Sequence, residues 1–183
     1  MSAAPLSIHG GNLAKEAVAA LTPEGVLLAP LWKRAVAFTL DVLLISILIN
    51  LLTGGKYYSV LMNWQNLASK YAAVWLLHLL LHMVIYWLYF KYTGRRLHRS
   101  LGQRAMRLAV VHDDATLLND AHWNKRAISK LRYVIPGIGQ IIGLIEFTRA
   151  LFSEDHLTPL DKSSHTIVVI DYTLPGESRF DLG

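Results

Sequence analysis

Cysteine is absent from the chain of 183 residues, and charged residues are scarce, at 17% of the total. Without cysteine the chain has no disulfide scaffold, no thiol nucleophile and no Cys-ligated zinc or iron–sulfur site. The sequence also contains no P-loop, no nucleophile elbow and no dinucleotide fingerprint. The usual signatures of catalysis are therefore missing, and neither an enzymatic activity nor a cofactor is expected.

Apolar residues, in contrast, make up 53% of the chain and are concentrated in two runs. Residues 35–53 and 72–90 are each 19 residues long, close to the roughly 20 that a helix needs to cross about 30 Å of hydrocarbon. The second run is apolar on every face apart from two histidines, and a chain of this length cannot enclose two such helices in a core. We predict that both runs are transmembrane helices.

The positive charge is concentrated in one block. Ten of the 18 basic residues lie between positions 91 and 132, where only three acidic residues occur. The positive-inside rule then predicts that the N-terminus and this block are cytoplasmic and that residues 54–71 lie outside. Anionic lipid headgroups are the expected partner of the block, at about 1 kcal/mol per basic residue, and nucleic acid is not expected. The headgroup candidates are Arg95, Arg96, Arg99 and Arg104.

A third apolar region, residues 131–152, is interrupted by proline and glycine. The β-branched runs 107–112 and 165–172 resemble strands, and each needs a partner for its backbone groups. If they pair, both lie on the cytoplasmic side, so residues 121–152 form two shorter helices around a turn at Pro136–Gly139. The alternative is a full third span with the C-terminus outside.

The predicted fold is therefore an all-α membrane protein. It has two transmembrane helices, a broken or re-entrant helical hairpin and a small two-stranded cytoplasmic β element. We expect a cytoplasmic segment over residues 1–30 with a short surface helix at 12–21, a membrane domain over 31–172, and a loose tail over 173–183. The expected location is the bacterial inner membrane, with both termini in the cytoplasm.

Asp41 is the most informative polar residue in the apolar runs. It lies seven residues after Arg34, about 10 Å further along the helix and on nearly the same face. A buried carboxylate in a membrane helix costs roughly 2.5–3.5 kcal/mol and usually has a partner. Two interpretations stay open: an ion or proton site, or a structural ion pair with Arg34 or another basic residue.

Two further pairs of polar residues interrupt the apolar segments. His78 and His82 share a helix face, which suits a polar seam between helices, and no metal site is expected because no third ligand is evident. Glu146 and Arg149 are three residues apart, so we expect them to pair with each other or to contact interfacial water.

Three short motifs resemble the RDD family of small bacterial membrane proteins, which is named after one arginine and two aspartates. Residues 34–41 (RAVAFTLD) are similar to the start of the family's first membrane helix. Residues 100–104 (SLGQR), followed by a strand, and residues 160–162 (LDK), also followed by a strand, are similar to the second and third motifs. The departures from the pattern are Arg99, Gln103, Arg107, Leu160 and His165.

The resemblance covers roughly residues 31–170 and implies that Arg34, Asp41 and Asp161 are the named residues. Arg126 resembles an arginine that often precedes the family's last apolar region. Transport of an unspecified ligand is the usual suggestion for the family, with sodium/proton exchange proposed for some members. Because Arg34 and Asp161 should lie at the same depth, we expect them to pair and to tie the C-terminal strand to the membrane helices.

Two functions are consistent with the sequence. The first is a transporter or ion-pathway component, working as an oligomer, with Asp41 as its intramembrane polar site. The second is a non-catalytic accessory or scaffold subunit that packs against a larger membrane complex.

Overall fold

The computed structural model describes residues 25–112, 115–153, 157–180 and 182. Its elements follow one another along the chain in a mainly helical order. They are α1 (Leu31–Thr53), α2 (Lys56–Leu61), a 3₁₀ turn (Trp64–Ala68), α3 (Ala72–Leu97), α4 (Leu101–Ala105), β1 (Leu108–His112), α5 (Asp120–Val134), α6 (Ile138–Phe152), α7 (Pro159–Ser164), β2 (Thr166–Ile170), a second 3₁₀ turn (Asp171–Thr173) and α8 (Gly176–Phe180).

The two long helices, α1 and α3, are long and apolar enough to cross a membrane. They confirm the two predicted apolar helices, although α1 begins four residues earlier and α3 continues seven residues further than the apolar runs. Glycine ends α1, because Gly54 adopts a left-handed conformation at φ 57°. Large apolar side chains on both helices face outward, as expected for surfaces in contact with lipid. Examples are Leu44, Ile47, Leu51, Leu77, Leu80 and Leu81.

Helices α5 and α6 form the predicted broken pair and meet at an angle of 112°. Pro136 has no backbone N–H to continue α5, and Gly137 has a φ of 77°, so the helix ends and the chain turns there. The two helices differ in character. α5 packs along α3 through one face, whereas α6 is mostly apolar and exposes Ile141, Leu144 and Ile145.

The two strands form an antiparallel sheet in which Leu108 lies opposite Ile170 and His112 opposite Thr166. This confirms the predicted pairing. Leu28, just before α1, extends the sheet through a bridge to Val169. One face of the sheet packs on the first turns of α1, and Ala37 belongs to the same core as strand residues.

The chain on either side of the α5–α6 pair contacts this sheet. Leu117, before α5, bridges to Val111 of β1, and Leu157, five residues after the end of α6, packs against the apolar cluster that contains Val111 and Val169. The sheet is therefore in contact with the start of α1 and with the chain before and after the broken pair.

Two predicted segments lie near the ends of the chain, and the structure describes residues of only the second. The predicted surface helix at 12–21 lies outside the described residues. Within the predicted loose tail, Leu174 is buried in an apolar cluster with Val26 and Val169, and α8 follows.

Candidate functional site

Asp161 is the centre of a buried ionic cluster. One carboxylate oxygen accepts a hydrogen bond from Arg34 at 3.0 Å and the other accepts from Arg126 at 3.1 Å. The Asp161 and Arg126 side chains are 1% and 2% exposed, and Arg34 is 9% exposed. The predicted contact between Arg34 and Asp161 is thus present, and it is shared with a second arginine.

Local sequence fixes the orientation of this carboxylate. Asp161 is the third residue of α7, and it forms a capping box with Thr158, whose hydroxyl donates to Asp161 at 2.7 Å. Arg126 also donates to the hydroxyls of Ser164 and Thr166, at the end of α7 and the start of β2. Arg34 completes the connection by donating to the carbonyl oxygen of Val168 at 3.2 Å. The cluster therefore joins α1, α5, α7 and β2.

Asp41 is held by hydrogen bonds from uncharged groups. None of the ion pairs in the described part of the chain involves Asp41, so neither Arg34 nor another basic residue forms the structural ion pair, and the interpretation as an ion or proton site stays a prediction. Arg34 faces the sheet, and Asp41 faces α3 and α4. Its carboxylate accepts hydrogen bonds from the Tyr89 hydroxyl at 2.5 Å, the Ser100 hydroxyl at 2.5 Å and the Gly102 backbone N–H at 2.6 Å.

These donors are available because α4 lies directly against α1. A Cβ atom added to Gly102 would lie 2.0 Å from the carbonyl oxygen of Ala37, so only glycine permits this approach. Ser100 begins α4 as its N-cap and forms a capping box with Gln103. Asp41 is 1% exposed and holds α4 against the middle of α1.

A cavity of about 530 Å³ separates α1 from α5 and α6. Its volume lies within the range of roughly 300–1,000 Å³ that is usual for ligand pockets. Both carboxylates described above line it. The charged lining side chains are Arg34, Asp41, Arg126, Lys130, Glu146 and Asp161.

The opening of the cavity can be located from the exposure of its lining residues. Thr39 and Leu43 on α1, and Gln140 and Leu144 on α6, line the cavity and are also exposed. The cavity thus opens between α1 and α6. Leu43 is 50% exposed and Leu144 is 67% exposed, so apolar side chains flank the opening.

The sequence model of the RDD family matches residues 28–165, about three quarters of the chain. The chain belongs to the RDD family. This family is made up of membrane proteins, in agreement with the two apolar helices. No curated protein and no solved structure matches the chain. Arg34, Asp41 and Asp161, the three residues that the sequence resemblance assigns to the family name, all line the cavity of this RDD protein.

Lys130 is a site residue that the sequence did not single out. It lies one helical turn after Arg126 on the buried face of α5, lines the cavity and is 8% exposed. The i, i+4 spacing from Arg126 was the available signal, since such residues share a helix face. The hydrogen-bond donors to Asp41 were harder to find from the sequence. Tyr89 is one of several aromatic residues in an apolar run, and Gly102 lies in a short motif with no evident link to Asp41.

The two histidines of α3 have separate roles in this RDD protein. The imidazole Nε2 of His82 donates to the carbonyl oxygen of Val134, the last residue of α5, at 3.1 Å. His78 bonds the Val74 carbonyl of its own helix instead. His82 is the residue that supports the predicted polar seam, because it satisfies a carbonyl at the break between α5 and α6. Among the described residues, no group of three potential ligands could hold a metal ion.

Tyr57, in the connection between α1 and α3, packs against both histidine rings. Its hydroxyl donates to the backbone carbonyl of His78 at 2.7 Å. Burial raises the pKa of Tyr57 to about 12, with a smaller contribution from Tyr58, so the hydroxyl keeps the proton it donates. This contact fixes the connection on the start of α3.

Glu146 and Arg149 do not pair with each other in the structure, and their contact with interfacial water, the other expectation, stays a prediction. Glu146 accepts from Arg132 at 3.1 Å and from the Tyr133 hydroxyl, both in the last turn of α5. The 112° bend brings that turn against α6, so a partner on the neighbouring helix replaces the one on the same helix. Arg149 is exposed.

The four arginines predicted to face lipid headgroups are in two different environments. Arg96 and Arg104 are exposed, and Arg95 is an exposed residue that pairs with Asp120. Arg99 is buried and pairs with Asp171 at 3.0 Å, next to the end of β2. Three of the four are thus at the surface, and Arg99 connects the end of α3 to the chain after β2.

Proposed function

We propose that this RDD protein is a non-catalytic transporter or ion-pathway component whose site is the cavity between α1, α5 and α6. The observation that carries the proposal is the set of ionisable side chains that line one cavity open between two apolar helices. Charged groups inside membrane segments are costly, and they usually mark a substrate or ion route. The bacterial inner membrane is the proposed location.

The proposed topology has two spans, a re-entrant α5–α6 pair and both termini in the cytoplasm. Three observations support it: the chain before and after the pair contacts the sheet, the bend of the pair is 112°, and Leu28, just before α1, bridges to β2. Non-helical backbone at membrane depth is tolerated when protein covers it, and Pro136 at the bend is buried. The basic block gives the side, by the positive-inside rule.

In this proposal Asp41 acts mainly by shaping the cavity wall. A carboxylate offers about four acceptor positions, and three donors from α3 and α4 already occupy most of them. Arg34 and Arg126 are likewise held by Asp161. The charged side chains of Arg34, Asp41, Arg126 and Asp161 are therefore held in place by these contacts, which suits a site that must present fixed charges to a ligand.

Proton flux in proteoliposomes tests the proposal. Vesicles that contain a pH-sensitive dye and carry a sodium gradient are prepared with the wild-type protein, with Asp41→Asn and with no protein. Asp171→Asn is the matched control, because Asp171 pairs with Arg99 away from the cavity. We expect flux from the wild type and the control and a strong loss with Asp41→Asn. Wild-type flux equal to that of empty vesicles would contradict the proposal. Unchanged flux with Asp41→Asn would show that Asp41 has no role in the transport site.

The second candidate is an accessory subunit of a larger membrane complex. The observation in its favour is that Asp41 and Asp161 both serve as connectors between elements, a role that needs no ligand. Purification in mild detergent, followed by identification of co-purifying proteins, tests it. A chain that runs alone or only with copies of itself would contradict this candidate, whereas a stable stoichiometric partner would favour it.

A further inference from the structure

Lys130 is a buried cation on the cavity wall with no hydrogen-bond partner among the described residues. Its side chain is 8% exposed, and its ammonium nitrogen lies 4.3 Å from the centre of the Phe90 ring. That cation–π contact is worth about 0.5–2 kcal/mol, which is less than the cost of removing an ammonium group from water. A group that supplies a negative charge and acceptor atoms would therefore be favoured beside Lys130.

The six charged side chains that line the cavity are three cations and three carboxylates. Glu146 is already paired with Arg132, which is not a lining residue, and Arg34 and Arg126 share the single carboxylate of Asp161. Asp41 is bound by uncharged donors, so it offsets one further cation at most. Apart from Glu146, the lining therefore has three cations against two carboxylates.

Arg126, one helical turn before Lys130, is held in place by Asp161. Its Nη1 donates to Asp161, Ser164 and Thr166. Its Nε has no hydrogen-bond partner in the described part of the chain, but protein encloses that atom, so it is not open to a ligand in the cavity. The case for an anion therefore depends on Lys130.

The wall that leads from these cations to the opening is mostly apolar, with Thr39 and Gln140 as polar residues at the opening. Phe38 and Leu43 on α1 face Leu144 and Phe147 on α6 along the cavity. The helices on either side of the opening expose apolar side chains, which face lipid in the proposed topology. A ligand that enters here comes from the hydrocarbon layer, and it needs an apolar part to match the wall.

We propose that the cavity binds an anionic amphiphile: a carboxylate or phosphate headgroup with an apolar chain, whose headgroup contacts Lys130. The inference rests on the proposed function in one respect only: both take the cavity between α1, α5 and α6 as the ligand-binding site. The same headgroup chemistry occurs in free long-chain carboxylates and in anionic membrane lipids. The apolar chain lies between α1 and α6, and the headgroup reaches the charged side chains around Asp161.

Equilibrium binding to the full-length protein in detergent tests the inference. The probes are radiolabelled hexadecanoate, hexadecanol as its uncharged counterpart, and phosphatidylglycerol added from vesicles. The variants are Lys130→Met, Lys130→Arg and, as a matched control on the exposed face of α5, Lys125→Met. We expect at least one anionic probe to bind more tightly than hexadecanol. Lys130→Met should weaken that binding at least about tenfold, because a hydrogen bond to a charged group is lost, while Lys130→Arg and Lys125→Met retain it.

Which anionic probe depends on Lys130 identifies the source, free carboxylate or lipid headgroup. The inference is overturned if hexadecanol binds as tightly as both anions, or if Lys130→Met, with an unchanged melting temperature, binds them as the wild type does. Because no gradient is present, the result is independent of flux. Lys130-dependent binding without proton flux would contradict the proposed function and support the binding site at Lys130. Proton flux without Lys130-dependent binding would support the proposed function and contradict the binding site.

Discussion

Arg34 and Asp161 lie 127 positions apart in the sequence and form a buried ion pair of 3.0 Å. Arg34 is in the first turn of α1 and Asp161 is in the short helix before β2. The pair therefore joins the first membrane helix to the last strand. Arg126 holds the other oxygen of the same carboxylate, so the loss of Asp161 would leave two buried arginines without a counter-charge.

Arg34→Gln and Asp161→Asn should each lower the stability of the protein strongly. Removing one partner of a buried ion pair costs about 3–5 kcal/mol, because the other charge stays buried. The double variant should lose less than the sum of the two single variants, since its remaining groups are uncharged at this contact. Thermal unfolding in detergent measures all three. Losses that simply add would show that Arg34 and Asp161 do not interact in the folded protein.

Gly102→Ala should detach α4 from α1. The added methyl group would lie 2.0 Å from the Ala37 carbonyl oxygen, a backbone atom that cannot move aside without shifting α1. We expect a loss of at least about 1–3 kcal/mol, as for other overpacked sites. The control is Gly143→Ala on α6, where the nearest atom is Tyr133 Cδ1 at 3.7 Å. Equal melting temperatures for the two variants would contradict the close contact of α4 with α1.

His82→Leu should destabilise the break between α5 and α6. Leucine cannot donate to the carbonyl of Val134, and an unsatisfied buried acceptor costs about 1–3 kcal/mol. His82→Gln can still donate and should recover part of the loss. His78→Leu should cost less than His82→Leu, because the hydrogen bond of the His78 ring stays within its own helix and the Tyr57 hydroxyl can still donate to the backbone carbonyl of residue 78. If the variants at 78 and 82 unfold at the same temperature, His82 does not support the break.

The topology can be tested directly because the chain has no cysteine. Single cysteines in place of Gln65 and Arg96, and one added after Gly183, are treated with a membrane-impermeant maleimide in intact cells. The two-span topology predicts that only the cysteine at 65 reacts. A C-terminal cysteine that reacts together with the one at 65 would instead establish α5 and α6 as a full third span.

Sequence reasoning located the elements of the fold better than the contacts of the site. The two long helices, the paired strands and the break at Pro136 each have a local signal: apolar length, β-branched residues, and proline with glycine. The contact between Arg34 and Asp161 followed from their expected common depth. Each of these predictions needs only the sequence of one segment, or the expected depth of two residues relative to the membrane.

The contacts that the sequence left open or did not reveal depend on how helices meet. Glu146 pairs with Arg132 because α6 bends back on α5 by 112°, and no local pattern encodes that angle. Asp41 is bound by hydroxyl and backbone donors from α3 and α4 because Gly102 lets α4 approach α1 closely. Lys130 becomes a cavity residue only when α1, α5 and α6 enclose a space.

The most direct test of the cavity as the working site is to fill it without changing any charge. Gly143 lines the cavity, and Gly143→Leu adds an apolar side chain there while favouring the helical conformation of α6. Thr148→Leu, on the exposed face of the same helix, is the matched control. In the dye-loaded proteoliposomes, we predict wild-type flux for Thr148→Leu and at least a tenfold loss for Gly143→Leu, with both melting temperatures at or above that of the wild type. Wild-type flux from a folded Gly143→Leu protein would contradict the account.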